Sequence, residues 1–180
     1  MQGVTRQVAQ LWIKERLSAK LTLVLVPSLS LLSQTLREWT FAANTSFDVL
    51  CVCSDQSVSK RENDDEITLS AKDSPFPVTS DPQVISNFLR GNGNKVIFST
   101  YHSSPFIAES QSNSDIPIFD LVVADEAHRC AGKVESMFTT VLDNKKIRAK
   151  KRLFATATPR YYVSRTTNTD ERSERGEEKR

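Results

Sequence analysis

FDLVVADEAHRC, Phe119–Cys130, carries an apolar stretch, Phe119–Ala124, straight into the acidic pair Asp125-Glu126. A run that is apolar at nearly every position is the pattern of a strand buried on both faces, as in the middle of a parallel sheet. Four further stretches share that pattern: Leu21–Val26 (LTLVLV), ended by Pro27, then Phe47–Cys53 (FDVLCVC), Lys95–Thr100 (KVIFST) and Arg152–Thr156 (RLFAT). Helical periodicity fills the gaps. Thr5–Leu17 places Val8, Leu11, Trp12, Ile13 and Leu17 on a broad apolar stripe, and Ser28–Trp39 does the same with Leu29, Leu32, Leu36 and Trp39. Pro82–Leu89 has Asp81 as its N-cap and Pro82 at its first position, and Gly91–Asn94 forms the turn that follows. Strands alternating with helices predict an α/β fold, a parallel sheet sandwiched by helices. In such sheets chemistry collects at the carboxyl ends of the strands.

The 180 residues are about one domain's length. At 38% apolar and 26% charged residues the chain is lean, but richer in apolar groups than a disordered chain. Its apolar runs are far shorter than the ~20 residues that span a bilayer, and Met1–Ala9 lacks the apolar core of a secretory leader. The expected setting is cytoplasmic, with no membrane partner. Twenty-four basic and 22 acidic residues leave a net charge of +2, so any basic patch must be local. Three cysteines without a C-x-x-C pair, and two histidines, argue against a disulfide scaffold and a structural zinc site. Cys51 and Cys53 read as packing residues. Between the second and third strands, residues 54–81 are rich in Ser, Asp and Glu and read as a polar surface insertion with at most a short strand near Ile67–Leu69. Residues 164–180 carry no apolar side chain and read as a charged, disordered tail. The basic run Lys145–Arg152 can touch phosphates, but reads more readily as a solvated helix end before a strand.

Four strand ends carry polar groups. A carboxylate where Asp125 stands can reach a hydrated Mg²⁺ held by nucleotide phosphates, and Glu126 beside it can orient and deprotonate a water. The same pair also suits a solvated acidic turn. Leu153–Arg160 ends its strand in Thr156 and Thr158, which flank Ala157, before Pro159 forbids continuation. Val26–Leu29 is a strand-to-helix turn whose free N–H groups suit a phosphate. Phe98–Ser104 is a fourth strand end, crowded with hydroxyls.

Taken in order, these residues resemble the superfamily 2 helicases and translocases of the DEAH type, and among them helicase-like ATPases related to restriction-enzyme motor subunits. Val26–Gln34 resembles motif Ia, and Ser99–Ser103 a later motif that contacts single strands. Asp125–His128 matches motif II, the Walker B box, residue for residue, and Thr156-Ala157-Thr158 matches motif III. The resemblance runs from about Gly3 to Arg160. It implies the first of two RecA-like domains, over residues 1–163, of a motor that couples ATP hydrolysis to nucleic-acid binding, with DNA favoured over RNA. It implies ATP and Mg²⁺ as cofactors, with Asp125 serving Mg²⁺ and Glu126 activating water. His128, Thr156 and Thr158 then couple hydrolysis to a nucleic acid held at Pro27, Ser28, Leu29, Ser99 and Thr100.

The pattern of that family is also broken here. Its phosphate-binding loop needs a Lys followed by Ser or Thr, and none of the eleven lysines is followed by either. Counting back from Trp12 puts the loop on Gly3–Gln7. Gly3 fits, Arg6 stands where the lysine belongs, and Gln7 where the Mg²⁺-binding hydroxyl belongs. The nucleotide set implied for this chain is therefore Gly3, Arg6, Asp125, His128, Thr156 and Thr158. The expectation is a fragment that lacks the loop, a second RecA-like domain and its arginine fingers, and that is inactive alone. The alternative is a non-catalytic remnant that binds nucleic acid or a protein partner. An unrelated α/β hydrolase is disfavoured because no G-x-S-x-G elbow occurs.

Overall fold

The computed structural model describes residues 5–53, 76–127, 140–141 and 143–156. Its strands are β1 (Leu21–Val26), β2 (Asp48–Val52), β3 (Val78–Thr79), β4 (Lys95–Thr100), β5 (Phe119–Asp125) and β6 (Ala149–Ala155). They form one sheet in the order β3-β2-β4-β1-β5-β6, and every pairing is parallel. The helices are α1 (Arg6–Arg16), α2 (Leu29–Ala42), α3 (Pro82–Arg90) and α4 (Ser104–Ser110), with a 3₁₀ turn at Tyr101–Ser103.

β1 and β4 are buried along their whole lengths; β1 is accordingly apolar at nearly every position, while β4 also buries Lys95, Ser99 and Thr100 beside its Val96–Phe98 centre. Alternation along β1 divides the core in two. Leu21, Leu23 and Leu25 join Ile85 and Leu89 of α3 and Ile107 of α4 on one face. Val24 and Val26 join Leu11 of α1 and Leu32, Leu36 and Trp39 of α2 on the other. Trp39 meets Phe98 edge to face, with ring centroids 5.5 Å apart. Each such fully buried aliphatic side chain stabilises the fold by roughly 1.5–3 kcal/mol.

Capping sets the helix starts. Ser28 Oγ accepts from the Leu31 N–H at 3.2 Å, and Asp81 Oδ1 from the Gln83 N–H at 2.8 Å with Pro82 behind it. α1 starts at Thr5, whose hydroxyl accepts from Val8 N–H. It stops at Ser18, which takes φ +51° while Ala19 N–H returns to Lys14 O and Ser18 N–H to Glu15 O. That is a Schellman stop without a glycine. At the amino end of the sheet, Asp120 Oδ2 accepts from Lys20 N–H and Leu21 N–H at 3.0 Å each, and its Oδ1 pairs with Lys150 at 2.7 Å. One carboxylate thus ties β1, β5 and β6 together.

Several expectations are corrected. α1 turns Gln7, Gln10, Leu11 and Lys14 inward and leaves Trp12, Ile13 and Leu17 exposed, so the apolar stripe is not the buried face. The basic run is no helix end: residues 144–147 turn and β6 begins at Ala149, with Lys150 and Lys151 on its exposed positions. Its arginines are spent on carbonyls, Arg148 on those of Gln111, Asn113, Ser114 and Ile116, and Arg152 on those of Val141 and Ile147. The last residues of the supposed insertion belong to the sheet as β3, because Pro77 O and Thr79 O accept from Cys51 N–H and Cys53 N–H. The expected short strand at Ile67–Leu69 and the tail 164–180 lie outside the described residues. Ser104–Ser110 forms a helix that the sequence pattern did not indicate. β6 pairs with β5 alone among the described residues, and its Phe154 is exposed, as an edge strand there would be.

Candidate functional site

At the carboxyl end of β5 the chain must turn out of the sheet, and it does so at once. Asp125 closes the strand with its side chain fully buried. Glu126 follows at φ +51°, a left-handed conformation that costs a non-glycine residue roughly 1–2 kcal/mol. Two hydrogen bonds fix this turn. Tyr101 Oη donates to Asp125 O at 2.9 Å, and Glu126 N–H donates to Asp125 Oδ1 at 3.0 Å. The first links the end of β4 to the end of β5.

Arg6, at the first position of α1, lies across both carboxylates. Its Nε stands 3.0 Å from Asp125 Oδ1, its Nη2 3.4 Å from Asp125 Oδ2, and its Nη1 2.6 Å from Glu126 Oε1. Burial pushes the Asp125 carboxyl above its ordinary value of 3.8, against the opposing charge of Arg6 and the Glu126 N–H. The inward face of α1 supports the arrangement, since Gln10 lies beside Asp125 and Lys14 rests over the Phe47 ring.

Two adjacent carboxylates are a donor set suited to a hard divalent cation. Their arrangement is not. Both Asp125 oxygens and Glu126 Oε1 already face one guanidinium, and the Asp125 side chain has no exposed surface. As folded, the pair fits Arg6 rather than Mg²⁺.

The other implied residues divide by place. Thr156 follows Ala155, the register partner of Asp125, so the first motif III hydroxyl stands at the strand end beside motif II. Gly3, His128 and Thr158 lie outside the described residues. Pro27, Ser28 and Leu29 form the turn from β1 into α2, at the same rim of the sheet as Asp125. Ser99 and Thr100 also end their strand at this rim, but their hydroxyls are buried and turned inward. Ser99 Oγ donates to Thr100 O at 3.0 Å and Thr100 Oγ1 to Ser103 Oγ at 3.2 Å. As folded, both hydroxyls are engaged within the turn that carries Tyr101. Sequence reasoning missed Tyr101 and Gln10. Gln7, Gln10 and Lys14 share one face of α1 by helical spacing, but nothing in that spacing records the carboxylates that the face meets.

A parallel sheet with helices on both faces and an acidic pair at the carboxyl end of an inner strand is the arrangement of a RecA-like helicase domain, and the matches to known proteins assign it. Residues 5–161 match the family described as Type III restriction enzyme, res subunit (ResIII), and the chain belongs to that family. It is 36% identical over 160 residues to the probable helicase A859L of African swine fever virus, in both the Pretoriuskop isolate and the Badajoz strain, covering 88% of this chain and 16% of the viral protein. Among solved structures it resembles a nuclease-deletion mutant of the Type ISP restriction-modification enzyme LlaGI in complex with a DNA substrate mimic. The TM-score is 0.69 at 32% identity, over 87% of this chain and 13% of that one. It likewise resembles the ATP-dependent Type ISP enzyme LlaBIII bound to DNA, with TM-score 0.66 at 31% identity, over 88% and 11%. The chain therefore spans less than a fifth of each of these relatives.

Proposed function

We propose that this chain is the N-terminal RecA-like motor segment of an ATP-dependent DNA helicase or translocase, and that it does not turn over ATP by itself. The carrying observation is the Asp125-Glu126 pair at the carboxyl end of β5, on the same rim as the N-terminus of α2. The family supports ATP use, usually with Mg²⁺, and the two restriction enzymes that it resembles are held on DNA or a DNA mimic. Glu126 and Asp125 carry the hydrolytic role in the larger motor, and His128, Thr156 and Thr158 couple it to DNA. Pro27, Ser28 and Leu29 hold the DNA backbone through main-chain N–H groups at a helix start. Ser99 and Thr100, paired with the end of β1 at the same rim, belong to the same backbone contact, and their hydroxyls fix the turn that follows. Inactivity of the chain alone is expected because none of its lysines is followed by Ser or Thr, as a phosphate-binding loop requires, and Arg6 stands at that place with both carboxylates as its partners.

Phosphate release by the purified chain should not exceed that of a Glu126→Gln control, with or without DNA. Turnover above the control and stimulated by DNA would overturn the inactivity. Binding of a fluorescent duplex should be weak, independent of sequence and strongly salt-dependent. Ser28→Asp keeps a good N-cap and adds a negative charge where a phosphate would sit. It should weaken DNA binding several-fold without loss of fold, and unchanged affinity would remove α2 from the interface. The Arg6 ion pairs also favour a second reading, a non-catalytic segment that binds DNA or a protein partner. Weak binding of a fluorescent ATP analogue supports the motor segment, and its complete absence supports the remnant.

A further inference from the structure

We infer that Arg6 is the resident counter-ion of the acidic pair, standing between Asp125 and Glu126 where a divalent cation would have to sit, so that the folded chain takes up such a cation only when Arg6 is removed. Three nitrogens of one side chain reach three oxygens of two carboxylates, at 3.0, 3.4 and 2.6 Å. A planar guanidinium can do this because its donors form a rigid fork matched to carboxylates; an ammonium would act as a point charge. The fork is held by its helix. α1 is anchored at its start by the Thr5 cap and by the hydrogen bond from Thr5 to Glu38 of α2, and along its inner face by buried Gln7, Gln10, Leu11 and Lys14. Arg6 keeps 29% of its side chain exposed while Asp125 keeps none, so the guanidinium roofs the carboxylate and separates it from solvent.

Charge points the same way. Two carboxylates and one guanidinium sum to −1. A divalent ion placed among them would bring the group to +1 and stand in contact range of the guanidinium, which repels it. Removing Arg6 leaves two adjacent carboxylates without that counter-ion, a donor set for a hard cation. The inference concerns the ion pair alone and holds whether or not the chain acts on DNA.

The test titrates Mn²⁺ alone, without nucleotide or DNA, and reads the free-ion signal by electron paramagnetic resonance. Wild-type chain should bind Mn²⁺ no more tightly than Asp125→Asn or Glu126→Gln, within twofold. Arg6→Gln should bind at least tenfold more tightly than wild type, and adding Glu126→Gln to it should abolish the gain. Should Arg6→Gln fail to fold, Arg6→Lys takes its place and should bind several-fold more tightly than wild type. Wild-type binding that falls tenfold in Glu126→Gln, or an Arg6 variant that binds no better than wild type, would overturn the inference.

Discussion

α1 and α2 pack side by side on one face of the sheet, and both carry a helical stripe of apolar residues. In α2 the stripe is the buried face: Leu29, Leu32, Leu36 and Trp39 all point into the core. In α1 it is mostly outside, with Trp12 49% exposed, while Gln7, Gln10 and Lys14 accompany Leu11 inward. Apolar burial turns α2, whereas α1 buries a mainly polar face around Leu11 and brings Arg6 to two carboxylates at the end of β5. Each fully buried aliphatic is worth roughly 1.5–3 kcal/mol. A helix that exposes three large apolar residues therefore gives up a comparable gain for its polar contacts. The lesson is that periodicity identifies a helix, and the partner across the sheet decides which face goes in.

The two helices differ most in their tryptophans. Trp39→Ala should destabilise the chain by about 3–5 kcal/mol in urea unfolding, since it removes a fully buried ring packed on Phe98. A loss below about 1 kcal/mol would mean that α2 is not seated as described.

Next in size is Asp120, where a charge organises the amino end of the sheet as Arg6 does the carboxyl end. Asp120→Ala removes an acceptor from two strand-start N–H groups and from Lys150, and should cost about 2 kcal/mol at neutral pH. Burial raises the Asp120 carboxyl, but the Lys150 hydrogen bond and the Leu21 and Lys20 N–H groups outweigh it, and the carboxyl lies below its ordinary 3.8. The unfolded chain then binds the proton more readily than the folded one. Its stabilisation is accordingly present above pH 3.8 and is lost as pH falls through the lower folded value. The gap between wild type and Asp120→Ala should be constant from neutral pH down to about pH 5 and close below the ordinary carboxylate range. A gap that widens on acidification would reverse the sign.

Smaller effects sharpen the contrast between the two helices. Ser28→Ala and Thr5→Ala each remove an N-cap and should each cost about 1 kcal/mol in thermal unfolding. A much smaller loss for Thr5→Ala would show that the Arg6 ion pairs alone hold the start of α1. Smallest of all, Trp12→Ala should change stability by no more than about 0.5 kcal/mol, because its ring is half in solvent. A loss near that of Trp39→Ala would show that the apolar face of α1 is covered in solution.

Much was legible in the sequence, for local reasons. LTLVLV, KVIFST and FDLVVA had to be inner strands, because residues apolar on both faces can be satisfied only with helices above and below. Asp81-Pro82 and Ser28 announced their helix starts by chemistry that acts within three residues. The acidic pair was legible too, since its place at the end of an apolar run puts it at the rim of a parallel sheet. The ends of β3 and β6 were not, because polar sequences enter a strand only when a neighbour offers its hydrogen bonds. Nor was the inner face of α1. The contact that sets it joins Arg6 to Asp125 across 119 positions, and no pattern within a helix records a carboxylate that distant. Local pattern alone fixes the order of the five longer strands and of α1, α2 and α3, and the acidic pair at a strand end. The tertiary structure alone decided that Arg6 neutralises that pair, because ion pairing depends on distance in space, and only the folded sheet brings α1 to the end of β5.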